Sequence, residues 1–299
     1  MVCGKLSEQN IVFQKDLVKK DDWDIIVLLD AVRYDYFEIM YKNYFKRGKL
    51  QKVISSTTSS PPWYFECFEK GNVRDDIIFI APDFELSSMD TKFISIGYQL
   101  KYGREPYNMN DFFGKVVDIW KTDYDEKLGV LHPDSTTDSI ITQSKKNQNH
   151  KIIGTYYQVH DPYIYYINKG EAPVMNMEKL VNGKPEYSRY HFRRLKDISR
   201  YFISDESLWR LENLIGKPPK AGLGWMWLNH GKEGILKGYY EDLKLTLNSA
   251  KRVVDELPYR KIIITTDHGE LLGEHKRYGH GGRKRKELIE IPWLEICPE

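Results

Sequence analysis

The stretch IIITTDHGELLGEHKRYGHGG (262–282) carries the densest chemistry in this chain. An apolar Ile/Thr run feeds directly into Asp267-His268-Gly269-Glu270, and His275 and His280 follow within a dozen residues. A carboxylate and an imidazole placed side by side at the end of a buried strand are good metal ligands, but two donors do not complete a site. Further donors have to come from elsewhere in the chain.

Three other segments end in the same way. WDIIVLLD (23–30) stops at Asp30, and the run from His150 stops at His160-Asp161-Pro162. STTSSPP presents Thr57, Thr58, Ser59 and Ser60 ahead of a proline pair. One strand-terminal Asp is ordinarily a turn or cap residue. Four endings of ligand or nucleophile type point instead to one site beyond the carboxyl ends of a parallel sheet. Mixed carboxylate and imidazole donors suit zinc, manganese or iron better than calcium. Such an ion lowers the pKa of a neighbouring hydroxyl and stabilises charge on a phosphoryl oxygen. A helix opening after the hydroxyl cluster adds backbone donors for an anion. The parts therefore suit hydrolysis of a charged ester. A triad of Ser59, His160 and Asp161 is the weaker alternative, because no G-x-S-x-G elbow is present. No P-loop or G-x-G-x-x-G follows the first strand, which argues against nucleotide binding. His132, His150 and His191 sit in polar stretches and read as surface residues. His230, Trp225 and Trp227 read first as packing residues, and second as a lid and a sugar platform.

Composition permits this picture. The chain has 299 residues, 41% hydrophobic and 29% charged, and 45 basic against 43 acidic residues give a net charge of +2. That balance predicts no nucleic-acid partner; the run Arg283–Glu287 is a local basic loop. Three scattered cysteines form no disulfide framework, which predicts a reducing, cytoplasmic setting. No membrane span or signal-peptide core is predicted, and no heptad specifies an oligomer.

The elements that must position these residues alternate between strand and helix patterns. Strands are predicted at 23–30, in LQKVIS, at 75–82, after His150 and before Asp267, and LIEIPWLEICP is predicted as an outer strand. Helical spacing follows Asp30. Residues 1–20 read as a helical lead-in. A helix near 132–146 is predicted with Asp134 or Ser135 as cap, and the clearest amphipathic helix is 238–258, stopped by Pro258. This order predicts one α/β domain over 1–299 with a mainly parallel sheet. Residues 83–130 and 167–235 show no clean period and read as insertions over the site.

These motifs together resemble the alkaline phosphatase superfamily, near its sulfatase-like branch and its archaeal-type hydrolases. TTDHGELLGEHKRYGHGG with ELIEIPWL resembles the family's last metal-binding block and the strand after it. IIVLLDAVRYDYF resembles its first-strand motif, VHDPYI its substrate-side histidine motif, and LHPDSTTDSII a stretch of the archaeal-type proteins. The resemblance implies an alkaline-phosphatase-like three-layer sandwich, with a mainly parallel central sheet flanked by helices. It implies Asp30, Asp267 and His268 as metal ligands shared with a nucleophile at Thr58, or at Ser59 next to it. Arg33, His160 and His280 would contact the substrate, and His160 and His280 would balance charge on the transferring group. One divalent transition metal, zinc or manganese, is implied, with a second ion as a variant. Sulfatases carry an oxidisable Cys or Ser followed by Pro and Arg, whereas SSPPW has no such Arg. Calcium-binding members pair Asp-Asp with Asp-Asn, where this chain has Asp30-Ala31 and Asp267-His268. A phosphate mono- or diester hydrolase acting through a covalent phospho-enzyme is therefore expected, on a small phosphorylated or sulfated ester that could be glycan-linked. Transfer of a phospho-group to a glycan or lipid headgroup, sulfate-ester hydrolysis, and a catalytically silent binding protein are the alternatives.

Overall fold

The computed structural model describes residues 11–92, 96–174 and 203–299; His191, expected at the surface, lies outside them. In chain order the elements are α1 (Gln14–Lys19), β1 (Ile25–Leu29), α2 (Tyr34–Met40), β2 (Lys49–Ile54), α3 (Ser60–Cys67), β3 (Arg74–Ala81), α4 (Ile96–Tyr102) and β4 (Phe113–Asp118). Two two-residue strands follow, β5 (Tyr124–Asp125) and β6 (Val130–Leu131), then α5 (Pro133–Lys146), β7 (Lys151–Thr155), α6 (Ile164–Ile167), α7 (Asp205–Leu214) and α8 (Gly222–Glu256). The chain closes through β8 (Ile262–Thr266), β9 (Leu271–Leu272), β10 (Tyr278–Gly279), α9 (Lys286–Ile289) and β11 (Glu290–Ile296).

Seven strands form the central sheet in the order β2-β11-β8-β1-β7-β3-β4. β8, β1, β7, β3 and β4 are mutually parallel, and β11 runs antiparallel to both of its neighbours. β2 therefore points the same way as β8, so the hydroxyl cluster after β2 reaches the same end of the sheet as Asp30 and Asp267. Side chains alternate between the faces of a strand, and the two faces bury separate cores. Ile25, Val27, Leu29, Ile78, Ile80, Ile262 and Ile264 pack with α2, α5 and α8 on one face. Ile26, Leu28, Ile77, Phe79, Ile153 and Ile263 pack with α1 and α3 on the other. This is the expected three-layer α/β arrangement. It explains why β1 and β8 read as unbroken apolar runs, since every one of their residues is buried.

Several elements differ from their sequence reading. β11 is not an outer strand; it lies between β8 and β2, with Thr265 Oγ1 donating to the carbonyl of Pro292 at 2.6 Å. Its own residues specify a strand but not its neighbours, and Pro292 precedes the stretch paired with β8, which begins at Trp293. α5 is capped two or three residues earlier than Asp134 or Ser135: His132 is the N-cap, its ring nitrogen accepting from the Asp134 N–H, with Pro133 in the first turn. α8 begins at Gly222 rather than near 238, with a break at Gly231 (φ 66°). That break and the Gly/Trp-rich sequence before it disrupt the period. β4 passes unseen in the sequence because FGKVVD is a short edge strand whose apolar residues are broken by exposed Gly114 and Lys115.

One buried carboxylate links α8 to the segment that carries His160. Asp242 accepts the backbone N–H groups of Ile164 at 2.7 Å and Tyr165 at 2.9 Å, satisfying donors that open α6. Burial pushes its carboxyl up to about 7, against the opposing effect of those two bonds. Asp242→Asn replaces one acceptor by a donor, and should lower unfolding stability by about 1–3 kcal/mol. Because the folded-state pKa is raised, Asp242's contribution is full below roughly pH 4 and declines as pH rises towards 7. Denaturant titrations across that range should therefore show the gap between wild type and variant narrowing, then staying flat above pH 7.

Candidate active site

The site forms where the carboxyl ends of β1, β2, β7 and β8 meet. Asp30 follows β1 through a turn in which Ala31 takes φ 59°. The phenol of Tyr239 on α8 holds that turn, donating to the Ala31 carbonyl and accepting from the Arg33 N–H, each at 2.9 Å. Thr266 Oγ1 accepts the Val32 N–H and donates to the carbonyl of His268, tying the ends of β1 and β8 together. After β8 the chain needs a glycine. A Cβ on Gly269 would lie 2.1 Å from the Glu287 carbonyl oxygen, and its N–H bonds the Leu288 carbonyl. The hydroxyl segment is docked from two sides. Ser55 Oγ donates to the Asp267 carbonyl at 2.5 Å and accepts the Thr57 N–H. The Gly281 N–H donates to the Thr58 carbonyl at 2.7 Å. Buried Gln14 completes the brace by bonding Thr265 and Thr266 of β8 and accepting from Trp63 of α3.

Asp30, Asp267 and His268 come together as expected, with ligand atoms all within 4.8 Å of one another. His268 Nδ1–H donates to the Gly269 carbonyl at 2.9 Å, which leaves Nε2 as the free lone pair. That nitrogen stands 3.5 Å from Asp30 Oδ1 and 3.5 Å from Asp267 Oδ2. All three atoms are buried and have no hydrogen-bond partner among the described residues, although Asp267 Oδ1 accepts the His268 N–H. Donors about 2.1 Å from a shared tetrahedral centre stand roughly 3.4 Å apart, so this spacing fits a transition-metal shell. The electrostatics agree. Burial, then the carboxylates of Asp267, Glu270, Asp83 and Asp161, push the Asp30 carboxyl well above its ordinary range. Burial likewise lowers the His268 pKa, keeping the neutral, ligating form. Buried polar atoms without partners are costly, and a divalent cation among these three would satisfy all of them.

Glu270 was not singled out from the sequence, although it sits in the same Asp-His-Gly-Glu run. Its Oε2 lies 3.0 Å from His280 Nδ1. Burial opposes ionisation of Glu270, but the charge and hydrogen bond of His280 outweigh it and hold the carboxyl below its usual value. Burial in turn opposes protonation of His280, and Glu270 outweighs that, so the His280 pKa is raised. His280 thus has the charge for an anion contact, and its ring centroid lies 4.4 Å from that of His268 and 4.8 Å from that of His160. His268, Glu270 and His280 also cluster with metal-ligand spacing. They share His268, whose one free nitrogen is already directed at Asp30 and Asp267.

The remaining candidates are placed as follows. His160 Nδ1 bonds the carbonyl of Asp161 at 2.5 Å, leaving Nε2 as the acceptor in the neutral ring. Ser59 caps α3 and its Oγ donates to the phenol of Tyr98 at 2.9 Å; no Ser59–His160 bond exists among the described residues, so the triad is not assembled. Thr58 is buried, and its hydroxyl makes no hydrogen bond among the described residues. Thr57, passed over in the sequence, has a buried Oγ1 with no partner. Arg33, expected at the substrate, is committed elsewhere. Its Nε and Nη2 donate to Asp35 and its Nη1 to Glu274 at 2.5 Å, so it clamps the first-strand turn to the loop after β9. His275 is exposed, and His230 bonds the Glu171 carbonyl at 3.0 Å. Trp225 and Trp227 pack against the core.

No protein-family model matches the sequence, and no curated protein does. Solved structures do match in fold. A phosphonate monoester hydrolase of Agrobacterium radiobacter aligns over 92% of this chain and 68% of its own, with 12% identity and a TM-score of 0.53. A proposed sulfatase from Bacteroides thetaiotaomicron aligns over 92% and 64%, with 11% identity and a TM-score of 0.51. The soluble domain of lipooligosaccharide phosphoethanolamine transferase A from Neisseria meningitidis aligns over 92% and 76%, with 11% identity and a TM-score of 0.48. The chain has the alkaline-phosphatase-like α/β fold of the first two of these structures. No described helix is long and apolar enough to cross a membrane.

Two measurements follow from this geometry. Elemental analysis of purified protein should find stoichiometric zinc or manganese, and the double variant Asp267→Asn/His268→Ala should lose it. Protein that neither carries nor takes up a divalent ion would overturn the assignment. Arg33→Gln should lower stability by about 1–3 kcal/mol through the unpaired Glu274. A variant as stable as wild type, with a raised KM instead, would return Arg33 to the substrate.

Proposed function

We propose that this chain is a metal-dependent hydrolase of phosphate mono- or diesters that works through a hydroxyl of the Thr57–Ser59 segment and a covalent phospho-enzyme. The observation that carries the reading is the meeting of three buried donors with no protein partner, on Asp30, Asp267 and His268, beside a segment with its own unpartnered buried hydroxyl. Mixed imidazole and carboxylate donors favour zinc or manganese, and one ion suffices. When bound, such an ion lowers the pKa of an adjacent hydroxyl and offsets charge on phosphoryl oxygens.

The chain's own residues supply the rest. Thr58, or Thr57 beside it, attacks phosphorus; Ser59 is third because Tyr98 engages its hydroxyl. As the P–O bond to the alcohol breaks, the leaving oxygen takes a proton. His280, whose protonated form Glu270 favours, faces the non-bridging oxygens. His160 Nε2 is placed to accept or return a proton, its ring oriented by the Asp161 carbonyl. Water then cleaves the phospho-threonine and restores the hydroxyl. The free thiols of Cys67 and Cys297 are compatible with a cytoplasmic setting.

Single alanine variants at 57, 58 and 59 test the scheme. Release of the aryl alcohol from aryl phosphate mono- and diesters should fall at least about a thousandfold in one of them. Mass spectrometry of quenched wild type should place a phosphoryl group on that same residue. Three variants that all stay within tenfold of wild type would exclude a covalent intermediate here. Phospho-product on an added alcohol, in place of free phosphate, would make the enzyme a transferase.

A further inference from the structure

A cavity of about 280 Å³ opens beside His280, lined chiefly by Asp161, Trp209, Leu223, Gly224, Tyr278 and His280 itself. His280 is both its inner wall and the neighbour of metal-ligand candidate His268. A phosphoryl group held at the donors described above would therefore project its organic substituent into this space.

The cavity's charge is lopsided. The Asp161 side chain is 14% exposed, and His160 Nδ1 stands 3.8 Å from its Oδ1. That nitrogen is already bonded to the Asp161 carbonyl, and His280 directs its Nδ1 at Glu270. The Asp161 carboxylate makes no side-chain hydrogen bond among the described residues. Arg277, next to Tyr278 in the chain, is paired with Asp205. Among the described residues, no lysine or arginine lines the cavity. A largely buried carboxylate in this position calls for a cation. The opposite wall is aromatic, with the rings of Trp209 and Tyr278 5.2 Å apart between centroids, and aromatic faces attract alkylammonium groups. Two glycines keep the space open. A Cβ on Gly222, at φ +72°, would lie 3.1 Å from Asp161 Oδ2, and one on Gly224 would lie 2.7 Å from Trp209 Nε1.

We propose that this cavity seats the alcohol portion of a phosphate ester bearing an ammonium group, with Asp161 as counter-ion and Trp209 and Tyr278 as the wall. The assignment rests on the phosphate-ester reading of the neighbouring site. A neutral polyol would fill the space but leave the Asp161 charge uncompensated.

Choline phosphate and 3,3-dimethylbutyl phosphate have the same shape and differ in the ammonium charge. In calorimetric titrations of the metal-loaded protein, all made in a Thr57→Ala/Thr58→Ala/Ser59→Ala background so that neither ester turns over, the wild-type cavity should bind choline phosphate about tenfold more tightly. In Asp161→Asn the ratio of the two Kd values should fall to about one. Leu223→Trp fills the cavity from the α8 side without altering its charge, and should weaken choline phosphate at least about tenfold. Equal Kd values in wild type, a preference that survives Asp161→Asn, or wild-type affinity in Leu223→Trp would each overturn the assignment. An Asp161-dependent preference in a protein that cleaves no phosphate mono- or diester would support the cavity and refute the hydrolase.

Discussion

Carboxylates repel one another when water is excluded, and this fold gathers Asp30, Asp83, Asp161, Asp267 and Glu270 at one end of its sheet. They are reached by four routes, after β1, β3, β7 and β8, yet they share one low-dielectric neighbourhood. Glu270 has its own cation in His280, and Asp83 accepts the backbone N–H groups of Glu85 and Leu86. Asp30 and Asp267 have no such relief for the oxygens they turn towards His268. The need for positive charge between them organises the site, because neutral His268 supplies a lone pair and not a charge. The surrounding bonds from Tyr239, Thr266, Ser55 and Gln14 hold these groups in place against that repulsion.

The sheet makes the convergence possible. Six strands point the same way, so every loop that follows one of them opens on the same face. The exception, β11, runs backwards between β8 and β2. It separates the hydroxyl segment from Asp267 by one strand width, and Ser55 bridges that gap. Rigidity on both faces comes from continuous apolar packing, roughly 1.5–3 kcal/mol for each fully buried Ile, Leu or Phe. Against such a frame, loops can carry strained or charged residues such as Ala31 without collapsing.

Around this centre the charge is graded. The metal-ligand candidates are negative, the His280–Glu270 pair offers a cation to an anionic oxygen, and the cavity beyond returns to negative at Asp161. An ester with an anionic phosphoryl group and a cationic substituent would match that sequence of signs across a few ångströms. Its aromatic wall comes from α7 and the turn before His280, so elements distant in the chain set the shape of one small space.

Local sequence was enough to reveal the strands that carry chemistry. Unbroken Ile/Val/Leu runs specify strands covered on both faces, and the ligand-type residues at their ends grouped Asp30, Thr58, His160, Asp267, His268 and His280 as one candidate site. Partner choice was not legible. The burial that joins Glu270 to His280, and the engagement of Arg33 with Asp35 and Glu274, depend on which loops meet in space. So do the interior position of β11, the unpartnered hydroxyl of Thr57, and the meeting of Asp161 with Trp209 and Tyr278. Periodicity encodes which face of an element is buried, but hydrogen-bond partners and local fields arise between elements far apart in sequence, and only the tertiary structure decides them.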